Sequence, residues 1–182
     1  LPSHSRLFTC DTESMYTNIN NTHGIEIIRK WLEDYSQEVP QDFPTEFLLK
    51  VLQIIMTNNI FQFDDTYWLQ KYGTAMGTSC ACSYATLYWA YIERKFIIPK
   101  WSHSLPFLRR YIDDKFEIWT GSEENFIAFL QDMNSYSQLK WTSSGLSSSV
   151  NFLDITITIE SDGKISTKTF QKPTNLHLYI PP

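Results

Sequence analysis

Cysteine is scarce in this 182-residue chain, which has only Cys10, Cys80 and Cys82. Three thiols make no even framework, and Cys80 and Cys82 stand too close in sequence to staple a fold. A Cys-x-Cys pair without a second Cys or His pair is a poor zinc signal, so reduced, partly buried thiols of an intracellular protein are expected. No apolar run approaches the roughly 20 residues of a membrane span, so no membrane is expected. The beginning, Leu1-Pro2-Ser3-His4-Ser5-Arg6, lacks an initiator Met and the charged-then-apolar layout of a signal peptide; it reads as a cut within a larger protein. Basic residues are also few: 15 Lys and Arg against 20 Asp and Glu leave a net charge of −5. Phosphate-backbone affinity comes from Lys and Arg, so autonomous nucleic-acid binding is disfavoured, whereas an acidic catalytic subdomain remains open. His4, His23, His103 and His177 show no paired spacing and read as non-ligands.

What is present is apolar and patterned. A hydrophobic content of 42% with 15% aromatics supports a core, in one domain or one domain plus a fragment. Arg6–Asp11 reads as a short buried strand and 18–22 as polar turn material. Ile25, Ile28, Trp31, Leu32 and Tyr35 mark a helix over 24–35, and Phe47, Leu48, Val51, Leu52 and Ile55 a second over Thr45–Thr57. Residues 60–70 read as a hairpin turning at Asp64-Asp65. The glycine-punctuated loop 73–78 enters a long helix through Ala81, Ala85, Tyr88, Tyr91 and Ile92, with Pro99 expected to close it. A helix over 123–134 takes Ser122 as N-cap. The remainder is strand-rich: Trp141-Thr142, an alternating stretch through Val150, Phe152, Ile155, Ile157 and Ile159, and Asp162-Gly163 as a hairpin turn. Trp31, Trp68 and Trp89 are expected in the core. The order predicts an α+β fold with helices laid on one face of an antiparallel sheet.

The chemistry concentrates in acids. Tyr111-Ile112-Asp113-Asp114 sets two adjacent carboxylates between apolar runs, where like charges require a counter-charge, and a divalent cation is the usual one. Asp-Asp is also common at turns, and Asp64-Asp65 is read as only that. Asp11 closes another apolar run, and strand-borne carboxylates from distant segments suit two-metal phosphoryl transfer.

The ordered set resembles the palm of reverse transcriptases. Asp11-Thr12-Glu13-Ser14-Met15-Tyr16 is similar to the first palm motif and Gly73-Thr74-Ala75-Met76-Gly77-Thr78 to the second, while Tyr111–Asp114 matches the aromatic-x-Asp-Asp box. Tyr16-Thr17-Asn18-Ile19, Phe152-Leu153-Asp154, and Phe170-Gln171-Lys172-Pro173-Thr174 followed by Tyr179 most resemble Penelope-like retroelements. The likeness implies a polymerase palm fragment spanning 1–182. In it the first motif lies at 7–19, the second at 70–80, the Asp-Asp box at 111–114 and the C-terminal strands at 149–172. Fingers and most of the thumb are missing.

As implied by the resemblance, Asp11, Asp113 and Asp114 are catalytic and hold two Mg²⁺ ions, with Mn²⁺ as a substitute and the Thr12 carbonyl as a further ligand. Tyr16 becomes the steric gate against a 2′-hydroxyl, its plainer alternative being core packing. Gly73, Met76 and Gly77 lie against nucleotide, although relatives carry Pro-Gln-Gly where this chain has Ala75-Met76-Gly77, so no amide role transfers to Met76. Gln70 either points at the site or is a surface hairpin residue. Lys140 is either the general acid for pyrophosphate or a solvated lysine. Tyr111, Lys172 and Tyr179 are assigned to primer and template. The implied partners are an RNA template, a DNA primer, deoxynucleoside triphosphates and the missing segments of the parent polyprotein, in an intracellular, nuclear setting. The alternatives are a degenerate or domesticated palm kept as a non-catalytic interaction module, and an RNA-dependent RNA polymerase.

Overall fold

The computed structural model describes residues 1–172. They form two compact units. The first comprises 1–11, 102–128 and 142–172; the second comprises 12–101 and 129–141.

In the first unit, β1 (Arg6–Thr12), β4 (Phe107–Tyr111), β5 (Asp114–Trp119) and β6 (Trp141–Ser143) form one sheet in the order β4-β5-β1-β6, with the remaining strands numbered in chain order below. β1 and β5 are antiparallel, with Leu7 opposite Ile118, Thr9 opposite Phe116 and Cys10 opposite Lys115. Partners across a ladder share a face, so Leu7, Phe116 and Ile118 point one way. They close a core with Val150 and Ile157 of the three-stranded sheet β7 (Ser149–Phe152), β8 (Ile155–Ile159) and β9 (Ile165–Thr169). Phe8 and Trp119 point to the opposite face and meet Phe126 of α6 (Glu123–Met133) edge to face. Ser122 Oγ accepts from Asn125 N–H at 3.2 Å, the cap its sequence position predicts. The alternating stretch through Val150 and Ile159 is not one strand. Its apolar residues switch from even to odd positions between Phe152 and Ile155, because Leu153-Asp154 turns the chain, with Leu153 at φ +52.

In the second unit α2 (Asn21–Asp34) packs on α3 (Thr45–Thr57) and α4 (Ala81–Ile92). The segment 18–22, expected as a turn, instead ends the short α1 (Met15–Asn18) and begins α2. The Asn20 side chain accepts from His23 N–H there, so polar residues cap a helix rather than interrupt one. Gly24 is required at the α2–α4 contact, since a Cβ would fall 1.9 Å from the Tyr84 hydroxyl. The buried stripe of α3 is Leu49, Leu52 and Met56. Phe47, placed on the apolar side from sequence, stands about 200° around the helix from Leu49 and is exposed. Pro99 does not end the long helix. A π-helical stretch, Glu93–Ile97, follows α4 and shifts the hydrogen-bond ladder, and Pro99 lies just beyond it in α5 (Ile98–Trp101). The hairpin β2 (Ile60–Phe63) and β3 (Thr66–Leu69) turns at Asp64-Asp65 as expected. Trp89 is fully buried, but Trp68, expected in the core, is 53% exposed on that hairpin. Among the described residues no helix is long and apolar enough to cross a membrane, and the three cysteines are free, Cys10 buried and Cys82 exposed.

Candidate active site

The β4–β5 ladder closes with Tyr111 opposite Asp114, leaving Ile112-Asp113 as a two-residue turn. Ile112 adopts φ +56, a region a β-branched side chain rarely enters. Arg110 holds the turn from below, its Nη1 donating to the Ile112 carbonyl at 2.7 Å. Extending the β1–β5 register one step beyond Cys10 and Lys115 sets Asp11 directly across from Asp114. Asp11 and Asp114 therefore share a face and an end of the sheet, with Asp113 at the turn beside them. The Asp11 carbonyl accepts from Thr142 Oγ1 at 3.4 Å, fixing that end of β1 to β6. On the other face the fully buried Lys115 and Glu117 pair at 3.1 Å beside Cys10, whose thiol is pushed up by burial first and by Glu117 second.

Asp114 reports a surplus of negative charge. Burial raises its pKa above the ordinary carboxylate range, and the charges of Asp113 and Asp11 raise it further, while Lys172 opposes them. A cleft of ≈ 290 Å³ lies at this residue, lined by Asp114, Asn151, Leu153, Asp154, Phe170 and Lys172. Leu153 and Asp154 belong to a turn like the first: Phe152-Leu153-Asp154, as Tyr111-Ile112-Asp113 does, places an aromatic, a branched residue at positive φ and an aspartate on a hairpin tip. Asp154 is held by its carbonyl, which accepts Phe170 N–H at 2.8 Å. Among the described residues no three His, Cys, Asp or Glu side chains are gathered into a ready metal cluster. The donor set still fits a hard cation: three aspartates, all oxygen ligands, with one carboxylate shifted toward protonation by burial and then by its two acidic neighbours.

The second unit carries the remaining motif residues. Tyr16 lies in α1, half-buried, and its carbonyl accepts Thr74 N–H at 2.7 Å, joining the first motif to the glycine loop. Gly73 makes this approach possible. It sits at φ +69, and a Cβ would lie 2.2 Å from the Tyr16 carbonyl oxygen. At Gly77 a Cβ would meet nothing within 4 Å, and its φ is not positive. Met76 is 78% exposed. Gln70 turns inward along its own chain, donating from Nε2 to the Tyr72 carbonyl at 2.8 Å. Thr12 ends β1 with its hydroxyl buried and without a hydrogen-bond partner among the described residues. Lys140 is exposed just before β6, and its carbonyl accepts Glu13 N–H at 3.3 Å.

Structure thus gathers Asp11, Tyr111, Asp113, Asp114 and Lys172 in one unit, and Tyr16 with Gly73 in the other. Tyr179 lies outside the described residues. One contributor was not singled out from sequence, and another was quoted there without a role. Asn21 donates from Nδ2 to both Met56 and Gly73 carbonyls at 2.9 Å, pinning the loop, and no sequence signal marks it. Asp154, quoted from sequence only within the Phe152-Leu153-Asp154 likeness, lines the cleft.

No protein-family model matches the chain. No curated protein matches it either. Solved structures do. A telomerase from Candida tropicalis, truncated from its C-terminal domain, superposes with TM-score 0.67 at 14% identity over 91% of this chain and 35% of its own. Telomerase from Candida albicans, in complex with the TWJ fragment of telomeric RNA, gives 0.68 at 12% identity over 90% and 30%. The BmCPV RNA-dependent RNA polymerase at elongation state gives 0.65 at 15% identity over 85% and 16%. The fold is that of a polymerase palm. This palm-like chain spans about a third of the telomerase chains and less of the viral one, and at these identities the likeness is one of fold.

Proposed function

We propose that this chain is the palm of a reverse transcriptase from a Penelope-like retroelement, a part of an enzyme that copies RNA into DNA by two-metal nucleotidyl transfer. The observation that carries the reading is the register of β1 on β5, which sets Asp11 across from Asp114 with Asp113 on the adjoining turn. When bound, a pair of Mg²⁺ ions supplies activation of the primer 3′-hydroxyl and stabilisation of the leaving pyrophosphate. Asp11, Asp113 and Asp114, with the Thr12 carbonyl, hold the ions, and Mn²⁺ is an alternative occupant. Tyr16 excludes the 2′-hydroxyl of the incoming nucleotide, and Gly73 lets the loop carrying Met76 and Gly77 lie close to it. Gln70 lies beside that loop, and Lys140 donates the proton that pyrophosphate takes up. Tyr111, Lys172 and Tyr179 face primer and template. An RNA-dependent RNA polymerase among the similar structures, and a telomerase solved with a fragment of telomeric RNA, support an RNA template. The parent protein acts inside the cell, in the nucleus.

Primer extension by the complete parent protein, with Asp113→Asn as its partner, tests this reading. Extension should fall at least about 10³-fold in the variant, because charge stabilisation by ligated metals dominates such reactions; unchanged extension removes the assignment. The viral polymerases of the same fold favour a second reading, RNA synthesis. Preference for ribonucleotides over deoxynucleotides, unaltered by Tyr16→Ala, selects it.

A further inference from the structure

The β2–β3 hairpin is apolar on both faces and, among the described residues, covered on neither. Its ladder puts Phe61, Phe63 and Trp68 on one face and Ile60, Tyr67 and Leu69 on the other, and all six are exposed, Phe63 and Tyr67 by 74% and 70%. Among the described residues this sheet has only two strands. Gln70 N–H donates to the Asn59 carbonyl at 2.8 Å, which makes residues 59 and 70 a hydrogen-bonded pair. Bonded and non-bonded pairs alternate along an antiparallel ladder, so 61 with 68 and 63 with 66 are bonded too. The N–H and C=O groups of Tyr67 and Leu69 therefore face away from β2. Thr66-Tyr67-Trp68-Leu69 presents this edge without a charge, a proline or a bulge to blunt it. Charge stands only at its ends, Asp65 before and Lys71 after.

We propose that a second copy of this chain pairs with this edge, β3 antiparallel to β3 about a two-fold axis through Trp68, making one four-stranded sheet of two hairpins. Two separate features select that register. The outward backbone groups must meet each other, which sets Tyr67 opposite Leu69 of the second copy. The same register sets Asp65 opposite Lys71 of the second copy, twice by symmetry. Registers centred on Tyr67 or Leu69 keep the backbone bonds but place Asp65 opposite Leu69 or Gly73. Parallel pairing faces Asp65 with Asp65. The outer edge of β2, flanked by Asn59 and Asp64, offers no complementary cation. Trp68 falls at the central non-hydrogen-bonded position, where opposing side chains approach most closely and two indoles gain most. The arrangement is isologous and consumes the β3 edge of both copies.

Sedimentation of the 182-residue chain between about 1 and 100 µM, in the wild type and three variants, tests it. A monomer–dimer equilibrium is expected. Asp65→Lys or Lys71→Glu alone should raise the dissociation constant about tenfold, since attraction becomes repulsion at two sites. Together the two substitutions should restore it to within about twofold, because the pairs re-form with signs exchanged. In a Cys80→Ser/Cys82→Ser background, Trp68→Cys should cross-link to its own copy under mild oxidation, as non-bonded pairs stand about 4.5 Å apart at Cα, within disulfide reach. A monomer at every concentration overturns the proposal. So does a dimer indifferent to the single substitutions, or one that the double substitution fails to rescue.

Discussion

Asp114 bears two penalties at once, partial burial and two neighbouring negative charges, and both favour its proton. The unfolded chain binds that proton at the ordinary value and the folded chain at a raised one. Between the two values the folded state holds more protons, so the contribution of Asp114 to stability falls as pH rises through that window. Asp114→Asn should therefore raise the metal-free melting midpoint at neutral pH and flatten this part of its pH dependence. Magnesium should raise the wild-type midpoint and do less for the variant, as read by thermal unfolding with and without the ion. A glycine pair gives a second contrast. Gly73→Ala brings a Cβ onto the Tyr16 carbonyl at φ +69 and should cost about 1–3 kcal/mol, whereas Gly77→Ala meets open space and should change stability by less than about 0.5 kcal/mol. Denaturant unfolding of the two variants checks this.

Hairpin turns and helix ends place the chemistry at the scale of elements. Ile112 spends stability to hold Asp113 on a two-residue turn, because only glycine and asparagine enter positive φ readily. Ile112→Asn should stabilise the chain by roughly 1 kcal/mol, a gain visible as a higher melting midpoint. In the second unit, Asp132 of α6 ties α5 down. Burial opposes its ionisation, yet Lys100 at 2.6 Å, Trp101 at 2.8 Å and Tyr136 at 3.2 Å together hold its carboxyl below the ordinary range. A lowered folded value means stabilisation that is full above the ordinary carboxylate pKa and lost as pH falls through the folded one. Asp132→Asn should cost about 1–3 kcal/mol at neutral pH and less in acid, as chemical denaturation at two pH values will show.

For the whole molecule, length decides what activity to expect. The chain spans 35% of one telomerase chain and 30% of another, so on the proposed function the carboxylate end of the sheet would be only part of what grips primer, template and triphosphate. Isolated, it should extend a primer no faster than its Asp113→Asn variant, and robust synthesis by the fragment would overturn that expectation. Much of this architecture was legible in the residues. Periodicity fixed α3 to its ends, apolar runs located β1 and β5, and Asp64-Asp65 and Asp162-Gly163 marked their turns, because local sterics and one-sided burial act within a few residues. Burial of particular side chains was less legible. Trp68 and Phe47 look like core residues on paper, but whether a neighbour arrives to cover them depends on the rest of the chain. What the sequence determined by itself was the identity and order of three aspartates and the apolar runs that flank them. Only tertiary structure set Asp11 across from Asp114, closed Gly73 on Tyr16 and brought Asp154 and Lys172 to one cleft. Those are choices of strand register and of contacts between segments dozens of residues apart, on which local propensity is silent.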